Sequence, residues 1–377
     1  MFNKKQFVPG SRRYIVGLVA AILIPVFLSM CSVKKEVSGS SGPEQSGAIP
    51  MAVLGDSDSH IYRDPINGVK RGGEYHLVTF QWTEILDALR PEAFDLGAKG
   101  VWGTRTRYAT LKDWFGGEGR TPSKYDFRYN YAISGLGCDS LLENWPRQGY
   151  WLIRHITRNK NHWDNGIVVF RIGINDIGQI QHHNVYARTG LTPEISRRVR
   201  TCVRQIADAV SAIQQANAST RIVLVGIADN SILPVTENES RSQEELNRIR
   251  SVLDLFDNGL SKLAEENSNV IFMDDRIWLE SYWPAIKGTQ PSGKSMGVTM
   301  TRGDFPRNLM LQDGHAGTVV NGFWARELIQ ALNNGFGLGI APLQDTEIAA
   351  LVDPEAKFGI APKPGPQDAA KFPRARE

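Results

Sequence analysis

Five short runs are apolar nearly throughout rather than alternating polar with apolar, and they constrain this chain more than any other feature. They are residues 51–54 (MAVL), 129–133 (YNYAI), 167–172 (IVVFRI), 221–225 (RIVLV) and 270–273 (VIFM). A strand of that composition must be covered on both faces, as strands of a central parallel sheet are. Long amphipathic segments separate them. Thr192-Pro193 supplies an N-cap and a first-turn proline, followed by Ile195, Val199, Cys202, Val203, Ile206, Val210 and Ile213 at helical spacing. Ser242 and Glu245 form a capping box ahead of Leu246, Ile249, Leu253, Phe256, Leu260 and Leu263. A last helix is expected from about Thr318 to Leu332, stopping near Asn334-Gly335. Strand–helix alternation predicts an α/β fold: a three-layer, doubly wound structure around a parallel sheet of about five strands, with ligands held beyond the carboxyl ends of the strands.

The ends read differently from this body. Lys4, Lys5, Arg12 and Arg13 precede an apolar run from Tyr14 to Met30, the arrangement of an export signal or a membrane anchor. Residues 1–31 are therefore expected to leave the cytoplasm and tether the chain outside it, in the periplasm or at the cell surface, if it is not secreted. Residues 32–48 are Ser, Gly, Lys and Glu with scarcely an apolar side chain, a disordered tether. From about Pro342 to residue 377, Gly, Pro, Lys and Ala predict a loosely ordered tail. The span 49–341 is left as one domain, with insertions at about 58–126 and 276–312. The whole chain of 377 residues carries 43 bases against 40 acids, and four of the bases lie in the export segment. So balanced a remainder has no electrostatic footprint for phosphate backbones, and nucleic-acid binding is excluded as its business. Three cysteines are too few for a disulfide scaffold, although Cys138 and Cys202 are available to pair in an oxidising compartment.

Chemistry collects at the predicted strand ends. The first strand runs into Gly55-Asp56-Ser57, the third into Gly173-Ile174-Asn175-Asp176, and Asp313-Gly314-His315 precedes the last helix. A serine hydroxyl needs an imidazole to take its proton and a carboxylate to orient that ring, and Ser57, His315 and Asp313 provide the three groups. A developing oxyanion needs donors; the Ser57 N–H, the Gly135 N–H and the Asn175 side-chain amide are the candidates.

In this arrangement the chain resembles the SGNH, or GDSL-type, hydrolase superfamily of serine esterases over about Met51 to Leu332. Four blocks stand in family order: Gly55-Asp56-Ser57, Asn130 to Gly135 (NYAISG), Gly173-Ile174-Asn175-Asp176 and Asp313-Gly314-His315. One residue separates Asp313 from His315 where the family usually has two, which leaves Asp304 as a fallback partner for the ring. The resemblance implies hydrolysis of carboxylic esters through an acyl-enzyme on Ser57, with no metal or organic cofactor. At the start, Leu28-Ser29-Met30-Cys31 resembles a lipobox and makes Cys31 the candidate lipidation site, though Met stands where a small residue is usual.

Competing readings are weaker. Gly288 to Ser295 (GTQPSGKS) satisfies the P-loop pattern, and Gly293 to Gly297 (GKSMG) that of a nucleophile elbow, but neither leaves an apolar strand. His60, His182 and His183 read as substrate-proximal or solvated, and no His or Cys spacing supports a metal site. The insertion from Asp58 carries Trp102, Arg105, Arg107, Tyr108, Trp114, Phe115, Arg120 and Tyr125, suited either to stacking on sugar rings or to forming a small core of its own. Both insertions are expected to wall the substrate cleft. Short acyl esters of carbohydrate are the first expected substrate, lipid or lysophospholipid esters the second; a catalytically inactive carbohydrate-binding relative of the same fold is the non-enzymatic alternative.

Overall fold

Apolar β-strands and amphipathic helices alternate through the body of the molecule, and their order dictates a layered sheet. The structure is a computed structural model that describes residues 47–65, 71–233, 241–282 and 296–360. The export segment, Cys31, most of the tether, the P-loop-like and elbow-like stretch up to residue 295 and residues 361–377 lie outside the described residues. No described helix is long and apolar enough to cross a membrane.

A parallel sheet forms from β1 (Ile49–Gly55), β2 (Phe94–Asp95), β5 (Ile167–Arg171), β6 (Arg221–Val225) and β7 (Val270–Met273), in the order β2-β1-β5-β6-β7. Alternation along the strands divides the core in two. Met51, Val53, Ile167, Val169, Val223 and Val225 face one side with α1 (Trp82–Leu89), α7 (Asp275–Tyr282) and α8 (Thr318–Phe336). Ala52, Leu54, Val168, Phe170, Ile222 and Leu224 face the other with α3 (Gln148–Arg158), α5 (Pro193–Ala216) and α6 (Gln243–Glu265). Both faces are covered, which is why these strands read as continuous apolar runs. Four further short elements belong to the body: the antiparallel pair β3 (Lys99–Trp102) and β4 (Lys124–Phe127), α2 (Thr106–Trp114) between them, and α4 (Ile180–Thr189).

Local signals held where they were strong. Thr192 Oγ1 accepts from Ile195 N at 3.2 Å, and Ser242 with Glu245 closes the capping box of α6. Gly337 ends α8 in the left-handed region at φ 65°.

Two expectations need correction. Residues 129–133 are not a strand of the sheet: they run beside β1, with Tyr131 N donating to Val53 O at 2.8 Å and Ile133 N to Gly55 O at 3.1 Å, but form only a single bridge. Asn130 explains this, because its side chain accepts from Ala132 N and donates to Ser59 O, competing with a regular ladder. The fifth strand is instead the two-residue β2. Nor is the chain loosely ordered from Pro342. Residues up to 360 pack on the α8 face through α9 (Asp345–Val352), with Leu343, Ile348, Val352 and Ile360 buried. Arg90 grips this segment, donating to Glu347 twice at 2.9 Å and to the carbonyls of Ala341 and Pro342 at 2.8 Å.

Cys138 and Cys202 are joined by a disulfide with Cα atoms 5.2 Å apart, across a sequence separation of 64 residues. Chain-entropy reasoning assigns closure of a loop that long about 4 kcal/mol. Reduction, or Cys202→Ala, should therefore lower the unfolding free energy by several kcal/mol in urea titration. Ile348 is fully buried, so Ile348→Ala should cost about 2–5 kcal/mol in the same assay. A change below about 0.5 kcal/mol, the surface range, would mean that α9 is not packed.

Candidate active site

The sheet order reverses at β1: the chain goes to β2 on one side and to β5 on the other, so the crevice of the doubly wound fold opens beyond the carboxyl ends of β1 and β5. Ser57 follows β1 by two residues and Asn175 follows β5 by four.

The turn bearing Ser57 is built by its neighbours. Asp56 Oδ1 accepts from Asp58 N at 3.1 Å, and Asp56 O accepts from Ser59 N and His60 N, an Asx-turn that Asp is suited to make. Gly55 is required by space, since a Cβ there would meet Arg171 O at 2.6 Å. Gln148 reads the Gly55 peptide twice, accepting from its N and donating to its O, both at 2.9 Å. Ser57 itself is partly buried, and among the described residues neither its hydroxyl nor its N–H has a hydrogen-bond partner.

Burial pushes the Asp56 carboxyl well up from its ordinary range, with Asp58 adding to the effect. Arg171, closing β5, lies partly buried beside it. It donates to Asp58 O at 3.0 Å and to Asp275 Oδ2 at 3.3 Å and lies 4.3 Å over the Trp324 ring. Trp278 and Trp324 fix the other oxygen of Asp275 at 3.1 and 2.7 Å.

Beyond Ser57, the candidate oxyanion donors are Gly135 and Asn175. Gly135 has φ 82°, a conformation that favours glycine, with open space where a Cβ would sit. Its N–H has no acceptor among the described residues. Asn175 Oδ1 accepts from Gln179 at 2.7 Å, and Nδ2 donates to Leu136 O at 2.8 Å. That leaves the second amide hydrogen of Asn175 over and ties its side chain to the Gly135 loop. Asp176 Oδ2 accepts from Cys138 N at 2.9 Å, just past the same loop.

His315 and Asp313 do come together despite their short spacing. Nδ1 of the ring lies 2.9 Å from Asp313 Oδ2, and the other carboxylate oxygen, Oδ1, accepts from the His315 backbone N at 3.2 Å within the same tight turn. Arg71, which sequence reasoning missed, is the third member. Its Nε donates to Asp313 Oδ2 at 2.7 Å, and its Nη2 is 3.3 Å from His315 Nε2. A guanidinium only donates, so Nε2 is the unprotonated nitrogen. Burial opposes ionisation of Asp313, but the His315 ring and then Arg71 outweigh it and hold the carboxyl below its usual range. Asp304 is engaged elsewhere, accepting from Gln312 N at 3.0 Å.

These loops share one cavity of about 80 Å³. Asp58, Ile174 and Gly314, the chain neighbours of Ser57, Asn175 and His315, all line it, with Leu233, Leu279 and Val320 among its apolar walls. The second insertion contributes Trp278, Leu279, Leu309 and Met310, whereas none of the aromatics singled out in the first lines this cavity. Trp114, the last residue of α2, and Phe115 just after it are 82% and 79% exposed, while Arg120 is buried over the Tyr131 ring. His60 and His183 are fully buried rather than solvated. The only group of His, Cys and acidic side chains close enough for a metal, among the described residues, is Cys138, Cys202 and Asp176, whose sulfurs are already bonded to each other.

Three solved structures are similar to this chain over about three quarters of its length. An extracellular lipase from Streptomyces rimosus is 16% identical with a TM-score of 0.36, covering 75% of this chain and 100% of its own. A carbohydrate esterase of family 3 from Talaromyces cellulolyticus is 15% identical with a TM-score of 0.36, covering 76% and 99%. A phospholipase A1 from Streptomyces albidoflavus is 14% identical with a TM-score of 0.34, covering 76% and 99%. No curated protein matches the sequence. The GDSL-like lipase/acylhydrolase family matches residues 51–297, ending short of Asp313 and His315. With the first three blocks inside that match and well over half of the chain spanned by it, this protein belongs to the GDSL-like lipase/acylhydrolase family and is a hydrolase of ester bonds.

Proposed function

We propose that this ester hydrolase works through an acyl-enzyme on Ser57, with His315 as general base and acid, Asp313 orienting the ring, and the Ser57 N–H, Gly135 N–H and Asn175 amide as the oxyanion hole. The observation that carries this reading is the single cavity lined by the neighbours of Ser57, Asn175 and His315, which come from three distant stretches of chain.

The chemistry follows from the groups in place. Ser57 Oγ attacks the ester carbonyl carbon while His315 Nε2 takes its proton; Arg71 yields that nitrogen to the serine hydroxyl. The oxyanion collapses, the C–O bond to the alcohol breaks, and the imidazolium returns the proton to the departing alkoxide. Water, deprotonated by the same nitrogen, then cleaves the acyl-serine ester, releasing the acid and restoring the Ser57 hydroxyl. Asp313, held ionised, stabilises the imidazolium in both halves of the cycle.

The cavity is small and largely apolar, which favours a short acyl group such as acetyl over a long chain. The apolar run from Tyr14 to Met30 supports export and a membrane tether through residues 14–30 or a lipidated Cys31. An exported short-chain esterase points to acylated carbohydrate as substrate.

Ser57→Ala should reduce hydrolysis of p-nitrophenyl acetate at least about a thousandfold, and Asn175→Ala should lower kcat about a hundredfold or more. Turnover that survives in Ser57→Ala removes the nucleophile assignment. Across acetyl, butyryl and octanoyl esters, kcat/KM should fall with chain length; a rise would replace the carbohydrate reading with a lipid one.

A further inference from the structure

His60 is fully buried three residues beyond Ser57, and the mechanism above does not use it. Its two ring nitrogens are engaged on opposite sides. Nε2 lies 2.7 Å from Asp64 Oδ2, while Nδ1 lies 3.2 Å from the Ser134 backbone N and 3.1 Å from Ser134 Oγ. A backbone N–H can only donate, so Nδ1 must be the acceptor and the ring proton sits on Nε2, facing the carboxylate. The residue so held, Ser134, immediately precedes Gly135, whose N–H has no protein acceptor among the described residues.

We propose that His60, oriented by Asp64, is a positioning residue for the oxyanion hole: it clamps the Ser134 peptide so that the N–H of Gly135 is aimed at the developing oxyanion. A second clamp lies a few residues away, where Asn130 Nδ2 donates to Ser59 O at 2.7 Å. The turn that presents Ser57 and the segment that presents Gly135 are thus joined at two points, Ser59–Asn130 and His60–Ser134, and move as one piece. Beneath them Lys124, fully buried, donates to Asp126 Oδ2 at 2.9 Å and to Ala132 O, adding a third tie to the same segment.

Ser134, His60 and Asp64 also have the make-up of a nucleophile relay, but the geometry opposes that role. The lone pair that would take the Ser134 hydroxyl proton is already occupied by the backbone N–H of the same residue. Burial lowers the basicity of His60, the Lys124 ammonium lowers it further, and the bond to Asp64 and the charge of Asp126 only partly offset this. A holding role needs only the acceptor.

The inference rests on Ser57 being the nucleophile, and the test separates the two. The full chain is assayed for kcat and KM on p-nitrophenyl acetate, with thermal midpoints, as wild type, His60→Asn, His60→Gln, Asp64→Asn, Ser134→Ala and Ser57→Ala. An asparagine carbonyl falls near the place of Nδ1 and can still accept from Ser134 N; a glutamine amide falls near Nε2 and cannot. His60→Gln should lower kcat about a hundredfold with KM changed by less than about twofold, because oxyanion donors act in the transition state. His60→Asn should stay within about tenfold of wild type, and Ser134→Ala close to it, since the backbone N–H remains. Asp64→Asn should lower kcat alone, by about tenfold, and decides the matter if His60→Gln does not fold. Wild-type kcat in His60→Gln or Asp64→Asn overturns the proposal. So does an equal fall in His60→Asn and His60→Gln that tracks lost thermal stability, or a fall in Ser134→Ala as deep as in His60→Gln. Hydrolysis that persists in Ser57→Ala instead defeats the nucleophile assignment, whatever the His60 variants do.

Discussion

One carbonyl oxygen organises this site. The main-chain oxygen of Asp58, the residue after Ser57, accepts from Arg171 at 3.0 Å, from Gln81 at 2.9 Å and from the Trp82 indole at 3.2 Å. These donors come from β5, from the cap of α1 and from α1 itself, so the turn beyond β1 is pinned to the sheet and to a covering helix at once. Buried carbonyls are costly unless bonded, and here satisfying one of them fixes where the serine stands. Arg171 extends the grip through Asp275 to Trp278 and Trp324, so the α7 and α8 layer is tied to the same point.

That arrangement accounts for which parts of the protein can be seen in its sequence. The strands β5, β6 and β7 are legible because burial on both faces leaves no polar position inside them, and the blocks at Ser57, Asn175 and His315 are legible because they sit at element boundaries, the first two after strands and the third before α8. The run at 129–133 misleads for a physical reason: its apolar side chains are buried as a strand's would be, but Asn130 turns its amide back onto the local backbone and breaks the ladder. β2 is too short, at two residues, to leave a pattern at all. In the C-terminal segment a few anchors, such as Ile348 and Ile360, are scattered among Gly, Pro and charges, so its composition resembles that of a segment without a core.

The supporting groups around the site are less legible, because their partners are remote in sequence. Arg71 meets Asp313 and His315 across more than 240 residues, and Gln148 reaches Gly55 across 93. No local spacing marks either one. Arg171 did leave a trace, a charge closing an otherwise apolar strand at the edge where the crevice opens. For His60 the sequence leaves two readings open, substrate-proximal or solvated, and only the enclosure of its ring removes the second.

The packing of residues 342–360 has a practical corollary for anyone preparing this protein. Composition invites trimming the chain at 341, yet that cut would strip Leu343, Ile348, Ala349, Val352 and Ile360 from the core beneath α8 and leave Arg90 without Glu347. The uncovered apolar face would be prone to self-association. A faithful version of the catalytic body must therefore run at least through residue 360, and insolubility of a shorter one would report the missing cover, not a defect in the site.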